Sequence, residues 1–272
     1  MKNIVSLLVV YLFVYPVFCQ IPSTLPSSSS IAQTSVADKQ NWSAFTNPAM
    51  LGYLEQTEFG VQFENRYLLN ELSTKSMQVG FSSKLVCTGV SFSHFGYSQY
   101  HEMIAGIGFA RNFSNKFAMG VQANYFTSYF SASNSYRGAF FPQVGLSVLL
   151  SPTFSIGFNA SNPFQSVIKN EYVTKRIPSV FSLGTEYLFS QELIWHTQID
   201  KEVSSNYRYA TGFDYRMLEQ LTVKLGGYWL DYLVPCLGVG AKAGSFLIDL
   251  NCELHPLLGL NTFASVHYRF RK

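Results

Sequence analysis

Charge is what this sequence has least of. Acidic and basic side chains together make up 13% of its 272 residues, about half the share usual in a soluble domain. The balance of 19 Lys+Arg against 16 Asp+Glu gives a formal net charge of +3, and no basic run exceeds pairs such as Lys175-Arg176. That excludes the electrostatic footprint of a nucleic-acid binder. Cysteine is scarce too. Cys19, Cys87, Cys236 and Cys252 follow no framework spacing and include no CxxC pair, so neither a disulfide scaffold nor a metal centre is expected, nor any cofactor. Past the first residues there is also no apolar run of the roughly 18 residues that a membrane helix needs.

Aromatic residues fill the space that charge leaves. With 24 Phe and 17 Tyr, aromatics reach 16% of the chain and outnumber the charged residues. A chain so composed needs an apolar medium for its surface, and lipid supplies one. The N-terminus suggests the route there. Met1-Lys2-Asn3 is a short polar start with one positive charge, Ile4 to Val17 is almost unbroken apolar sequence, and Pro16 interrupts it before Val17-Phe18-Cys19-Gln20. This is the outline of a secretory signal over residues 1–19, with cleavage expected before Gln20.

From Ile21 to Lys39 the chain is rich in Ser, Pro, Thr and Ala, a composition that forms no core of its own. A compact motif follows at 42–51, in which Asn47-Pro48-Ala49 is a turn followed by a small residue, placed directly before the first alternating segment. Residues 20–55 are therefore expected to be a short plug, or else a cap that merely starts the fold, and residues 56–272 a barrel.

Alternation begins at Thr57 and persists to the end. Phe59, Val61 and Phe63 oppose Gly60, Gln62 and Glu64; Met119 and Val121 oppose Gly120 and Gln122; Phe213 and Tyr215 oppose Gly212, Asp214 and Arg216; Val266 and Tyr268 oppose His267 and Arg269. Roughly fourteen such segments, each about 9–11 residues, match the length of a tilted strand crossing a bilayer. In a soluble sandwich the face opposite the apolar one would carry many Lys and Glu. Here it is dominated by Gly, Ser, Asn and Gln, as a crowded lumen would be. The expected fold is all-β: a transmembrane antiparallel up-and-down β-barrel of about fourteen strands with a short N-terminal plug.

Connections alternate in length as such barrels require. They are short near 83–84, 114–116, 151–153, 190–191, 218–219 and 243–244, and longer over 67–72, 94–101, 129–136, 161–177, 201–206, 230–234 and 255–259. A two-residue turn at Ala243-Gly244 would pair Val239 with Ile248 and Leu237 with Leu250, leaving Cys236 opposite Asn251 and unable to reach the outward Cys252. The same alternation sends Glu186, His196, Asp214, Arg216, Lys224, Asp249, Glu253, His267 and Arg269 into the lumen, where mixed signs are expected to pair. No catalytic residue is expected. None of the five His residues is followed two positions later by a Ser on the same strand face, the placement that would let an imidazole activate a hydroxyl nucleophile.

The segment Ala44-Phe45-Thr46-Asn47-Pro48-Ala49-Met50-Leu51 resembles the xxNPAxL element that precedes the barrel in FadL-like outer-membrane proteins. It is also similar to an element of the PorV and PorQ barrels associated with type IX secretion in Bacteroidetes. Asn162-Pro163-Phe164, Ala210-Thr211-Gly212-Phe213-Asp214-Tyr215, Lys224-Leu225-Gly226-Gly227-Tyr228 and the closing Ala264 to Phe270 resemble further elements of the group. The resemblance implies an outer-membrane location and two candidate functions. The first is a PorV/PorQ-type barrel, associated with type IX secretion, whose external loops dock a secretion-system or surface protein, chiefly through 161–177. The second is a channel for small hydrophobic molecules gated near Asn47-Pro48-Ala49. The shortness of the chain favours the first, because the long hatch of the transporters has no counterpart.

Overall fold

A residue pattern of period two places successive side chains on opposite faces of an extended chain, and the computed structural model has this form almost throughout. It describes residues 30–39, 43–131, 134–169 and 174–270. The expected signal segment, residues 21–29 of the Ser-rich stretch, Trp42 and the last two residues lie outside the described residues.

In chain order the strands are β1 (Glu58–Asn65), β2 (Ser73–Phe81), β3 (Cys87–Gly96), β4 (Tyr100–Phe113), β5 (Phe117–Phe130), β6 (Ser135–Ser151) and β7 (Phe154–Ser161). A small hairpin follows, β8 (Val167–Lys169) and β9 (Thr174–Arg176). Then come β10 (Val180–Leu188), β11 (Leu193–Glu202), β12 (Tyr207–Leu218), β13 (Leu221–Trp229), β14 (Leu233–Ala243), β15 (Phe246–His255) and β16 (Gly259–Arg269). All but β8 and β9 form one closed antiparallel barrel of fourteen strands, with β7 beside β10 and β16 returning to β1. Closure runs from Glu58 opposite Arg269 to Asn65 opposite Thr262. It leaves no open strand edge.

The two faces divide as the alternation requires. Phe59, Val61 and Phe63 are exposed on the outside while Gly60, Gln62 and Glu64 are buried. The outer surface is an apolar, aromatic belt suited to lipid, and the polar residues pack inside. The segment leading into β1 and the end of β16 meet at one end of the barrel, where Phe270 N donates to Thr57 O at 2.9 Å. This is the turn end; the opposite one is the loop end.

Three expectations need correction. The β14–β15 turn is Gly244-Ser245, with Ala243 opposite Phe246, so Val239 faces Leu250, Leu237 faces Cys252 and Cys236 faces Glu253. Gly244 carries a φ of +62°, which glycine accommodates without strain, and this puts it inside the turn. A shift of two leaves every side chain on its expected face. Cys236 still points inward, Cys252 does not, and both are free thiols.

The loop between β3 and β4 is only 97–99, and His94 and His101 are strand residues. Strands on the β4–β6 side run on past the apolar belt, β6 for 17 residues, so most loop-end connections are shorter than expected. Only 66–72 and 162–179 are long. Lastly, Arg216 keeps inward parity but lies exposed near the turn end, opposite Thr222, where β12 has run out of lumen.

Candidate functional site: the lumen and the segment threaded through it

Inward glycines explain how the barrel accommodates more chain than its own wall. A Cβ on Gly89 would lie 2.7 Å from Leu51 Cδ1, and one on Gly80 would lie 2.6 Å from Leu54 Cδ1. On Gly120 and Gly145 it would collide with Pro48 and Asn47, on Gly157 with the Val36 carbonyl, and on Gly212 with Ile31. These positions are flat so that residues 30–39 and 44–54 can lie against the wall. Ile31, Ala32, Val36, Ala44, Asn47, Ala49, Met50 and Leu51 are accordingly almost fully buried.

Asn47 is the hub of this arrangement. Its φ of −146° is extended, and its side chain accepts from Ala49 N at 3.0 Å, capping the 3-10 helix Pro48–Tyr53. Pro48 suits the first helical position because it has no N–H to satisfy there. The same amide donates from Nδ2 to Val36 O at 2.7 Å and to Leu146 O on β6 at 3.2 Å. One side chain thus joins both stretches of the N-terminal segment to the wall. Around it, Gln143 Nε2 donates to Thr46 O at 3.2 Å, Ala44 N donates to Gln78 Oε1 at 3.2 Å, and Val36 N donates to Gln198 Oε1 at 3.0 Å. Tyr53 reaches Ser147 at 3.3 Å. Burial raises the Tyr53 phenol above its ordinary value, against the opposing effect of that hydrogen bond.

The first stretch ends in an apolar socket. Ile31 and Ala32 pack with Ala210, Val234 and Cys236, flanked by Tyr228. Arg208 closes the socket by donating to Ala32 O, while its other nitrogen pairs with Asp200 at 2.5 Å. Gln33 Nε2 donates to both carboxylate oxygens of Glu253, at 3.0 and 3.2 Å.

Below the socket, toward the turn end, most of the remaining inward charges gather. Lys224 Nζ lies 2.6 Å from Asp249 and 4.0 Å from Asp214; His196 stands 3.8 Å from Asp214 and 3.9 Å from Glu186. His267 is fully buried beside Gly60. Arg269 is set apart at the turn end, 3.7 Å from Glu58, and Arg216 joins none of these groups. Among the described residues, no group of three or more His, Cys, Asp or Glu is placed to hold a metal ion.

The loop end is closed by chain that strand alternation alone did not reveal. Ile168 of β8 and Ile177 pack against the inward side chains of Ile104, Phe126 and Phe141. Lys175 of β9 forms an ion pair with Glu102 and donates to Tyr100 Oη at 2.7 Å. At the base of the loop a second Asn-Pro pair repeats the first. Asn162 Nδ2 donates to Ile177 O at 2.9 Å and its Oδ1 accepts from Ser166 N at 2.8 Å. Between the two closures lies a cavity of about 20 Å³ lined by Phe45, Ile104, Gln122, Asn124, Phe141, Gln143 and Ser161, room for about one water.

No protein-family model and no curated protein matches the sequence. Solved structures match the fold. A FadL homologue from Pseudomonas aeruginosa superposes with a TM-score of 0.68 at 11% identity, over 91% of this chain and 99% of that one. The toluene transporter TodX of Pseudomonas putida gives 0.66 at 10% identity, over 88% and 95%. The outer membrane protein Omp33 of Acinetobacter baumannii gives 0.52 at 11% identity, over 79% and 98%. The likeness lies in the barrel architecture.

Proposed function

We propose that the protein is an outer-membrane channel for small apolar molecules and that residues 30–54 are its plug. The observation that carries this is the placement of Asn47. A fully buried side chain joins the two stretches of the N-terminal segment to each other and to β6 through three hydrogen bonds, so its loss loosens the segment at the point where both stretches meet the wall. The cavity between plug and hairpin holds about 20 Å³, which supports reading this as a closed state from which passage requires the plug to shift.

Fold likeness to a toluene transporter favours small hydrocarbons as the transported class and an outer-membrane location. It places the channel ahead of the secretion-associated reading. A specific observation also weighs against docking through the long loop: Ile168 and Ile177 are turned into the barrel mouth instead of outward. The lumen histidines and acids serve here as wall and latch, with no chemical step assigned to them. The test is uptake of radiolabelled toluene by cells carrying the protein in their outer membrane. Uptake above that of cells lacking it, and higher again with Asn47→Ala, is expected; no gain with either form would remove the channel reading.

A further inference from the structure

On the outside of the barrel, near the loop end, the apolar belt gives way to a row of basic and aromatic side chains. Lys75 of β2 stands directly opposite His94 of β3, which follows Val90 and Phe92 on the outward face. The His94 and His101 rings stack with centroids 5.4 Å apart. His101 stacks in turn on Tyr129 at 4.8 Å, and Tyr129 lies 4.7 Å from Tyr136, which also meets His101 at 5.7 Å. Lys75 and Tyr136 are exposed, and the two imidazoles are half-buried.

Three groups able to carry positive charge are therefore gathered side by side, facing outward. Every ion pair among the described residues involves other side chains. Like charges directly opposed across a sheet are destabilising, and two adjacent imidazoles add to that repulsion when protonated. Aromatic side chains at this height mark the boundary between hydrocarbon and head groups. An anion supplied by the lipid itself would relieve the repulsion, accept from the Lys75 ammonium and imidazole N–H groups, and find the tyrosines as flanking walls.

We propose that Lys75, His94 and His101, with Tyr129 and Tyr136, form a binding site for the phosphate of a lipid head group in the leaflet at the loop end. The site is separate from the lumen and does not depend on transport. An imidazole gains positive charge as the pH falls, and the groups facing these two are Lys75, Tyr129, Tyr136 and each other. The site therefore holds its anion more tightly in acid.

The test is native mass spectrometry of the full chain in mixed micelles, comparing retention of phosphatidylglycerol with phosphatidylcholine at about pH 6 and about pH 8. Preferential retention of the anionic lipid is expected, larger at the lower pH. It should fall about fivefold for each cation removed in His94→Gln and in the triple variant Lys75→Gln/His94→Gln/His101→Gln. Heat-dependent gel mobility confirms that each variant retains its barrel, and the single variant serves if the triple does not fold. No preference in the wild type, or an unchanged preference in folded variants, overturns the proposal. Displacement by inorganic phosphate at equal concentration would also overturn it, by assigning the site to a free anion.

Discussion

Asn47 Nδ2 lies 2.7 Å from the carbonyl oxygen of Val36, so two stretches of chain eleven positions apart are held together by one buried amide. Its other contacts reach Ala49 N and Leu146 O. Leaving buried backbone groups without partners costs about 1–3 kcal/mol. Asn47→Ala is therefore expected to raise the open population of the channel roughly tenfold to hundredfold. Single-channel recording in planar bilayers checks this, and conductance unchanged from wild type would contradict it.

A bulky residue at a flattened wall position should expel the plug without harming the barrel. Gly120→Val places side-chain atoms where Pro48 and Ala49 lie, while Gly120 keeps its ladder positions opposite Ala110 and Gly145. The expected variant assembles normally by heat-dependent gel mobility but conducts. An assembled, closed Gly120→Val would mean that the segment closes the lumen by some other contact.

Lys224 sits between Asp249 and Asp214, nearly inaccessible to solvent. Removing one partner of a buried pair costs on the order of 3–5 kcal/mol, because the other charge stays buried. Lys224→Met should therefore lower the midpoint of denaturant unfolding in micelles sharply. Lys224→Met/Asp249→Leu should recover much of the loss, and a double variant no better than the single would contradict the pairing.

At the other end, Lys175→Met removes the partner of the buried Glu102 and frees the hairpin from the barrel mouth. Limited proteolysis within 162–179 is expected to quicken several-fold, with the barrel core still resistant. Equal cleavage rates in variant and wild type would show that the Ile168 and Ile177 packing holds the hairpin alone.

The barrel was legible because period-two alternation is a local property: Phe59-Gly60-Val61 reveals its two faces without knowledge of any neighbour. The inward direction of His196, Lys224 and Glu253 followed from the same rule. Register was harder, since a slip of two residues preserves every face, and only the positive φ at Gly244 distinguishes the two candidate turns. Arg216 has inward parity at a level where no lumen remains, and parity carries no information about height. The contacts of Asn47 were hidden for a different reason. Val36 and Leu146 lie far from it in sequence, and hydrogen bonds to main-chain oxygen leave no side-chain signature. The sequence does carry one signal of the second layer. Inward Gly80, Gly89, Gly120, Gly145 and Gly157 on neighbouring strands mark a wall flattened for a second layer of chain.

Two native thiols offer the most direct test of the plug. Leu51 packs against the buried Cys87, as Ile31 does against Cys236. Leu51→Cys would thus set a new thiol beside Cys87, allowing the segment to be locked to β3 by oxidation and released by reduction. The decisive measurement is toluene uptake by cells carrying this variant, oxidised and then reduced, with bond formation verified by mass spectrometry and the wild type treated in parallel. If the plug must move, uptake falls to the level of cells without the protein on oxidation and returns on reduction, while the wild type is unaffected. Undiminished uptake through a verified lock would contradict the account, because the segment would then be a fixed part of the wall.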